Sequence, residues 1–180
     1  MITRTPIIFL LVLLALLAAA YYQYRPSQPA SVPDISLVTV DGRELRLPDY
    51  RGRPLLVTFW STTCTSCVAE IPHLIELYQE LEPMGLEIIA IAMAYDPPNQ
   101  VLEMRKSRRM TYPVTLDINA DAARAFGDIQ VTPTSFLIGP DGRILQHRTG
   151  RLDMAGLRRQ ILAMIAAQTH SPVDSGLSAP

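Results

Sequence analysis

The sequence predicts an α/β domain, a mixed central sheet with helices on both faces, set behind an apolar N-terminal segment. Three observations predict it. Apolar runs rich in strand formers, such as "PLLVTFW" at Pro54 to Trp60, alternate with amphipathic stretches of helical spacing. Late in the chain two alternating runs flank Asp141-Gly142, a residue pair suited to a tight hairpin turn, so an antiparallel pair joins the other strands. With the apolar start set aside, about 145 of the 180 residues remain, the usual size of one domain with one core.

Residues 1–24 come first. The run from Ile7 to Tyr22 is apolar without interruption, preceded by Arg4 and followed by Tyr24. Its length lies between a long signal-peptide core and a short spanning helix, and Ala18 to Ala20 offer a small-residue cleavage site. Tyr21, Tyr22 and Tyr24 stand where an aromatic belt meets the far headgroups, and Arg4 marks the near side as cytoplasmic. A retained membrane anchor is expected, with a cleaved signal peptide as the alternative; both export the rest of the chain. Residues 25–33, "RPSQPASVP", are proline-rich and polar and read as an extended linker. Residues 34–168 form the expected domain, and the small, polar residues 169–180 a disordered tail.

Within the domain, "ISLVTVDGRELRL" turns at Asp41-Gly42 and gives an N-terminal β-hairpin extension. Pro54 to Trp60 then reads as a strand buried on both faces. "VAEIPHLIELYQELEP" carries Ile71, Leu74, Ile75, Tyr78 and Leu81 three or four residues apart, the apolar face of a helix. "LEIIAIAMAY" is a second buried strand, "NQVLEMRKSRR" an amphipathic helix and "YPVTLD" a shorter strand. "NADAARAFG" is a helix with Asn119 as its cap and Gly127 just past its end. The late hairpin and a last helix, "MAGLRRQILAMIAAQ", close the domain.

Sixteen Lys and Arg against 17 Asp and Glu leave no charge imbalance to draw a polyanion, so nucleic acid is not an expected partner. The basic run Arg105 to Arg109 reads as a solvated helix face. A monomer is expected.

The chemistry concentrates in "STTCTSC", where only Thr65 and Ser66 separate Cys64 from Cys67, between a buried strand and the start of a helix. As a structural staple the pair would do little, because the entropic gain of a disulfide grows with the loop it closes. As a zinc site it supplies half the ligands, and His73, His147 and His170 form no paired motif to complete it. Redox chemistry fits better. A helix N-terminus favours an anion, which stabilises a thiolate at Cys64 below the free pKa of about 8.5. Cys67, one turn along on the same side, can attack a mixed disulfide formed through Cys64. Cys64 is thus expected to attack and Cys67 to resolve. The two sulfurs would hold the electrons, with no diffusible cofactor and no metal.

The string "FWSTTCTSCVAEIP", with "VTPTSFLIGPDG" much later, resembles the thioredoxin superfamily, and specifically its membrane-anchored TlpA/ResA/DsbE-like thiol-disulfide oxidoreductases, over Pro33 to Gln168. The resemblance implies that Phe59 and Trp60 end the central strand, with Trp60 beside the substrate, and that Pro72 kinks the active-site helix. It also implies a cis Thr132-Pro133 loop facing the cysteines. There the Thr132 backbone would pair with an extended substrate segment while Pro133 withholds a competing donor. Residue physics alone favours a trans bond at Pro133; only the resemblance reverses it. A proline inside a helix costs about 3 kcal/mol, and the alternative is a helix that starts after Pro72 and leaves the cysteines outside it.

Glu70, three residues after Cys67, has two readings. Partly buried, it could take the proton of Cys67 as that thiol becomes the attacking thiolate. Otherwise it is an exposed acid in an early helical turn. ResA-like proteins carry a functional Glu at this spacing, which favours the first. The chain departs from the family at Thr63, where Trp is usual, at Thr65-Ser66, which replaces a Gly-Pro or Glu-Pro type of pair, at Val68, where Lys is frequent, and at Thr58, where cytosolic thioredoxins bury an Asp. These positions tune reduction potential and partner choice rather than reaction type.

The implied activity is extracytoplasmic reduction of protein disulfides on the outer face of a bacterial cytoplasmic membrane, with apocytochrome c as one candidate substrate. A transmembrane electron carrier of the DsbD/CcdA kind would re-reduce the pair. Two competitors remain. A peroxiredoxin-like peroxide reductase is matched at Ser61 but not at Val57, where its proline belongs. A Sco-like copper-delivery module uses three residues between its cysteines and a histidine before the late strand, whereas here there are two residues and no histidine between His73 and His147.

Overall fold

The computed structural model of the chain describes residues 10, 13–17 and 30–169. Its central strand, β3 (Leu55–Trp60), is buried at all six positions, as its unbroken apolar sequence requires of a strand covered on both faces. Around it the sheet runs β5-β4-β3-β6-β7. β4 (Glu87–Ala92) lies parallel to β3, and β5 (Val114–Leu116) parallel to β4. β6 (Thr134–Ile138) runs antiparallel to β3, and β7 (Ile144–Thr149) antiparallel to β6. The short hairpin of β1 (Ser36–Val38) and β2 (Glu44–Arg46) forms a separate two-stranded sheet. Gly42 and Gly142 take φ of 84° and 82° at the two hairpin turns, a region that side chains disfavour.

Alternation along β3 and β4 divides the core in two. Leu56 and Trp60, with Ile88, Ala90 and Ala92, pack against α1 (Thr65–Leu81) and α4 (Met154–Thr169) through residues such as Leu74, Leu81 and Ile161. Leu55, Val57 and Phe59, with Ile89 and Ile91, face the hairpin and α3 (Asp121–Ala125) through Leu37, Leu45 and Phe126. Phe59 meets Phe126 and Phe136 edge-on, with centroids at 5.4 and 6.2 Å. α2 (Pro98–Ser107) contributes Val101 to the first core; in its last turn Lys106 is exposed, while half-buried Arg105 donates to Asp41 at 3.3 Å. On α1 the buried row is Ile71, Leu74, Leu77 and Leu81, with Ile75 and Tyr78 half-buried beside it. The helix runs through Pro72, whose ring is exposed, so the cysteines belong to it.

The structure corrects the expected start of α3. Asn119 does not cap it. Ala120 occupies that place in the left-handed region, at φ 58°, and the Asp117 carboxylate accepts the Ala122 and Ala123 N–H groups at 2.9 and 2.8 Å. A carboxylate held at the end of β5 reaches two of the orphan donors of so short a helix. Gly127 follows its end at φ 94°. At the N-terminus, ordered packing starts ahead of Asp34: the Val32 N–H donates to the Gly142 carbonyl at 2.8 Å, the Ile144 N–H to the Ala30 carbonyl at 3.2 Å, and Val32 is buried. The expected anchor over residues 1–24 lies outside the described residues apart from residues 10 and 13–17, as does the tail beyond residue 169. Among the described residues no helix is long and apolar enough to cross a membrane.

Because Asp117 accepts two N–H groups of α3, one on each carboxylate oxygen, Asp117→Ala is expected to lower unfolding free energy by about 1–2 kcal/mol, and Asp117→Asn, which keeps one acceptor oxygen, to lose less than the alanine variant. Urea melts of the three proteins measure this, and equal midpoints would show the carboxylate contributes nothing.

Candidate active site

β3 ends at Trp60, the chain crosses Ser61 to Thr63, and α1 opens with Cys64 as its N-cap in extended geometry. The Cys64 carbonyl accepts the Val68 N–H at 3.0 Å, and its sulfur accepts the Cys67 N–H at 3.2 Å. Sγ thus occupies the place of a capping oxygen. Cys64 and Cys67 are joined as a disulfide, with Cα atoms 5.3 Å apart. Their burial differs. Cys64 is half-buried, while Cys67 is 3% exposed within the core under α1. An attacking molecule therefore meets Cys64 first, and once the bridge opens the helix end favours negative charge on that sulfur.

Behind Cys67 lies a small cavity lined by Thr58, Trp60, Cys67, Glu70, Tyr112 and Pro133, among others. Glu70 is 3% exposed, not the solvated acid of the alternative reading. Its Oε1 accepts the Leu152 N–H at 2.6 Å. Burial pushes its carboxyl above the usual range, opposed by that bond and by the positive charges of Arg151 and His73. Pro133 follows a cis bond to Thr132, and its carbonyl accepts the Gly150 N–H at 2.8 Å. Thr132 is half-exposed and precedes the β6 ladder, which starts at Thr134. Thr58, in place of a buried acid, pairs its hydroxyl with Ser135 at 2.9 Å.

Cys67, Glu70 and Pro133 therefore come together around one cavity, as their motifs predict, while Pro72 stands on the solvent side of α1. Trp60 requires a correction. Expected beside the substrate, it is 3% exposed and packs in the core behind the pair, because alternation along β3 turns it inward with Leu56.

Two residues, Asp96 and Tyr112, escaped the sequence reading. Asp96, 5% exposed in the loop after β4, accepts the Ser61 hydroxyl at 2.8 Å, the Thr62 N–H at 2.7 Å and the Thr62 hydroxyl at 3.2 Å. Ser61 also bonds Thr63 at 2.9 Å. The acid thus clamps the segment that presents Cys64. A signal existed: parallel neighbours β3 and β4 end side by side, so an acid just past one reaches the loop past the other. Ser66 places its hydroxyl 3.4 Å from the Cys64 sulfur. Tyr112, at the cavity wall, carried no motif. Among the described residues no three His, Cys, Asp or Glu side chains are gathered as metal ligands. His73 lies 3.9 Å from Glu76, and His147 stacks on Phe136, where burial lowers its pKa.

Comparison with known proteins places this geometry. The model of the AhpC/TSA family matches residues 30–147. The thiol-disulfide oxidoreductase ResA of Geobacillus thermodenitrificans strain NG80-2 is 31% identical over 166 residues, 89% of this chain and 94% of its own. A thioredoxin-family thiol:disulfide interchange protein of Chlorobium tepidum TLS superposes with a TM-score of 0.69 at 27% identity, over 78% of this chain and 99% of that one. StoA of Bacillus subtilis does so with a TM-score of 0.62 at 25% identity, over 73% of this chain and 98% of its own. The α/β fold is thioredoxin-like.

Two outcomes follow from this geometry. Asp96→Ala leaves the Thr62 N–H unpaired and takes one of two side-chain partners from the Ser61 hydroxyl, which keeps Thr63, and a loss of about 1–3 kcal/mol in urea unfolding is expected; an unchanged midpoint would show that solvent replaces the clamp. Glu70 binds its proton more tightly folded than unfolded, so between the ordinary carboxyl pKa of 4.5 and its raised value the folded state holds more protons. Stability of the oxidised protein therefore falls as pH rises through that window. Glu70→Gln should flatten this slope in melts taken from about pH 4 to about pH 8, and a parallel slope in the variant would place the titration elsewhere.

Proposed function

The chain belongs to the AhpC/TSA family and is a thiol-disulfide oxidoreductase of the ResA/DsbE-like kind, and from that premise we propose that it reduces disulfides in other proteins through Cys64 and Cys67. One observation carries the reading: a half-exposed sulfur caps a long helix while its bonded partner is buried one turn below. The Cys64 thiolate attacks a client disulfide and expels one client sulfur as a thiolate. Cys67 then attacks Cys64 Sγ, releases the second client sulfur and leaves the bridge between Cys64 and Cys67. Glu70 takes the proton that Cys67 gives up, a role its burial beside that thiol and its raised pKa support. The client segment lies extended along Thr132, with Pro133 against the sulfurs. No diffusible cofactor takes part.

In this proposal residues 1–24 anchor the domain to the outer face of a bacterial cytoplasmic membrane. A membrane carrier of the DsbD/CcdA kind returns electrons to the pair. Apocytochrome c, whose haem-attachment cysteines must be reduced, is the client class that the ResA likeness favours. A peroxide reductase is less well supported, since the Ser61 hydroxyl is committed to Asp96 and Thr63.

The test is catalytic turnover of insulin disulfides with dithiothreitol as reductant. Cys64→Ser is expected to abolish it, and Cys67→Ala to stop turnover while trapping clients as mixed disulfides on Cys64 in membranes. Peroxide consumption without disulfide reduction would overturn the proposal.

A further inference from the structure

Two polar atoms are buried behind Cys67 without a partner. Tyr112 is 1% exposed and Trp60 3%, and neither the Tyr112 hydroxyl nor the Trp60 indole N–H finds a hydrogen-bond partner among the described residues. Such groups are unfavourable when stripped of water and left bare. Both side chains line the cavity they share with Cys67 and Glu70, whose volume of about 10 Å³ is the room one water requires. Thr58, also on its wall, has its hydroxyl committed to Ser135.

We propose that this cavity holds one water, bound by Tyr112 and Trp60, and that through it Tyr112 positions the proton exchanged between Cys67 and Glu70. The proposal rests on the exchange reading above. The donor count fits. With the bridge closed, the water oxygen accepts from the indole N–H and the Tyr112 hydroxyl; with Cys67 a thiol, the Tyr112 hydroxyl turns to accept instead, so that the water accepts from the indole and the Cys67 S–H and gives its hydrogens to the Glu70 carboxylate and the Tyr112 oxygen. When Cys67 resolves the mixed disulfide, its proton passes to the water, which gives one of its own to Glu70. The Cys67 electron pair forms the bond to Cys64 Sγ, the bond from Cys64 to the client breaks, and the client sulfur leaves as a thiolate that takes a proton from solvent.

The surroundings suit the role. Arg151 and His73 are the charged groups acting on Glu70 besides the Leu152 N–H. On the α1 side Tyr112 meets the Tyr78 ring edge-on at 6.1 Å, and the Tyr78 hydroxyl is itself committed to Glu87 at 2.9 Å. Burial and the nearby Glu70 charge push the Tyr112 hydroxyl well above its ordinary pKa, so it keeps its proton and acts as a neutral hydrogen-bonding partner rather than a base.

The full chain, reduced and mixed with a dithiobis-nitrobenzoate, should release nitrothiolate in two phases, the first as Cys64 attacks and the second as Cys67 resolves. Tyr112→Phe keeps the ring and removes only the hydroxyl. Its second phase is expected to slow about tenfold at neutral pH, with the pH profile displaced upward by roughly one unit, the effect of one lost hydrogen bond to an ionising partner. A second phase whose pH profile superimposes on that of the parent overturns the proposal. Absence of any second phase in the parent overturns the exchange reading beneath it instead. Should the variant not fold, a high-resolution crystal structure of the parent decides: a water within hydrogen-bond reach of Tyr112 Oη and Trp60 Nε1 supports the proposal, and a dry cavity ends it.

Discussion

The site depends on how β3 delivers the chain to α1. β3 is held on both sides, parallel to β4 and antiparallel to β6, and every one of its residues is buried, so the position of its end is set by the sheet. α1 is held by an apolar row from Ile71 to Leu81 pressed on that same sheet. Only Ser61 to Thr63 lie between them, and Asp96 clamps those from the neighbouring strand's loop. The Cys64 sulfur consequently has little freedom except to sit at the helix mouth. There the unpaired N–H groups of the first turn, with the Cys67 N–H already directed at it, stabilise negative charge without any cation nearby having to supply it.

The division of labour between the sulfurs comes from the same packing. One turn of helix separates a half-exposed Cys64 from a buried Cys67, and one further turn brings Glu70 inward. A buried thiol is reluctant to ionise, so the resolving step needs a nearby group that accepts its proton. In this chain Thr58 and Ser135 satisfy each other beneath the sheet and can offer no base. In the proposed exchange that group is on α1 itself, where Glu70 is anchored through the Leu152 N–H and destabilised in its charged form by burial. A base on the helix that carries both cysteines keeps its register with them.

What could be read from the sequence was what repeats locally. The buried strand at Leu55 to Trp60, the apolar face of α1 and the two Asp-Gly turns declare themselves through period and turn chemistry within a few residues. Even there, Leu77 was missed because Ile75 and Tyr78 fit the same spacing and compete for the same face. The cis bond at Pro133 came from resemblance alone, since residue physics favoured trans. Partners distant in sequence stayed hidden. Asp96 reaches Thr62, Leu152 reaches Glu70, and the unpaired hydroxyl of Tyr112 arrives behind Cys67 by sheet pairing, none of which leaves a periodic mark. Asp117 displaced Asn119 as the helix cap for a related reason, because a cap is chosen by where a strand ends and not by residue type alone. Trp60 was misplaced for the opposite reason: the strand's own alternation, legible all along, sends it inward with Leu56.

The departures between the cysteines have a consequence for redox poise. In the bridged state neither sulfur carries a hydrogen, so in the 3.4 Å contact between Ser66 and Cys64 the serine hydroxyl is the donor. A proline at that position would offer no hydroxyl, and Ser66 thus adds a donor to the Cys67 N–H already aimed at the same sulfur. Both bonds strengthen when the sulfur becomes an anion, because hydrogen bonds to charged acceptors are the stronger ones. They therefore favour the reduced form and move the pair toward the oxidising end of its range. The buried Glu70 acts in the other direction when charged, since a carboxylate close behind the pair disfavours the thiolate that the reduced form carries at Cys64. With Glu70 protonated that opposition vanishes. The potential of the pair is thus tied to the protonation of Glu70, more steeply with pH than two thiols alone would give, through the same packing that buries acid and resolving thiol together.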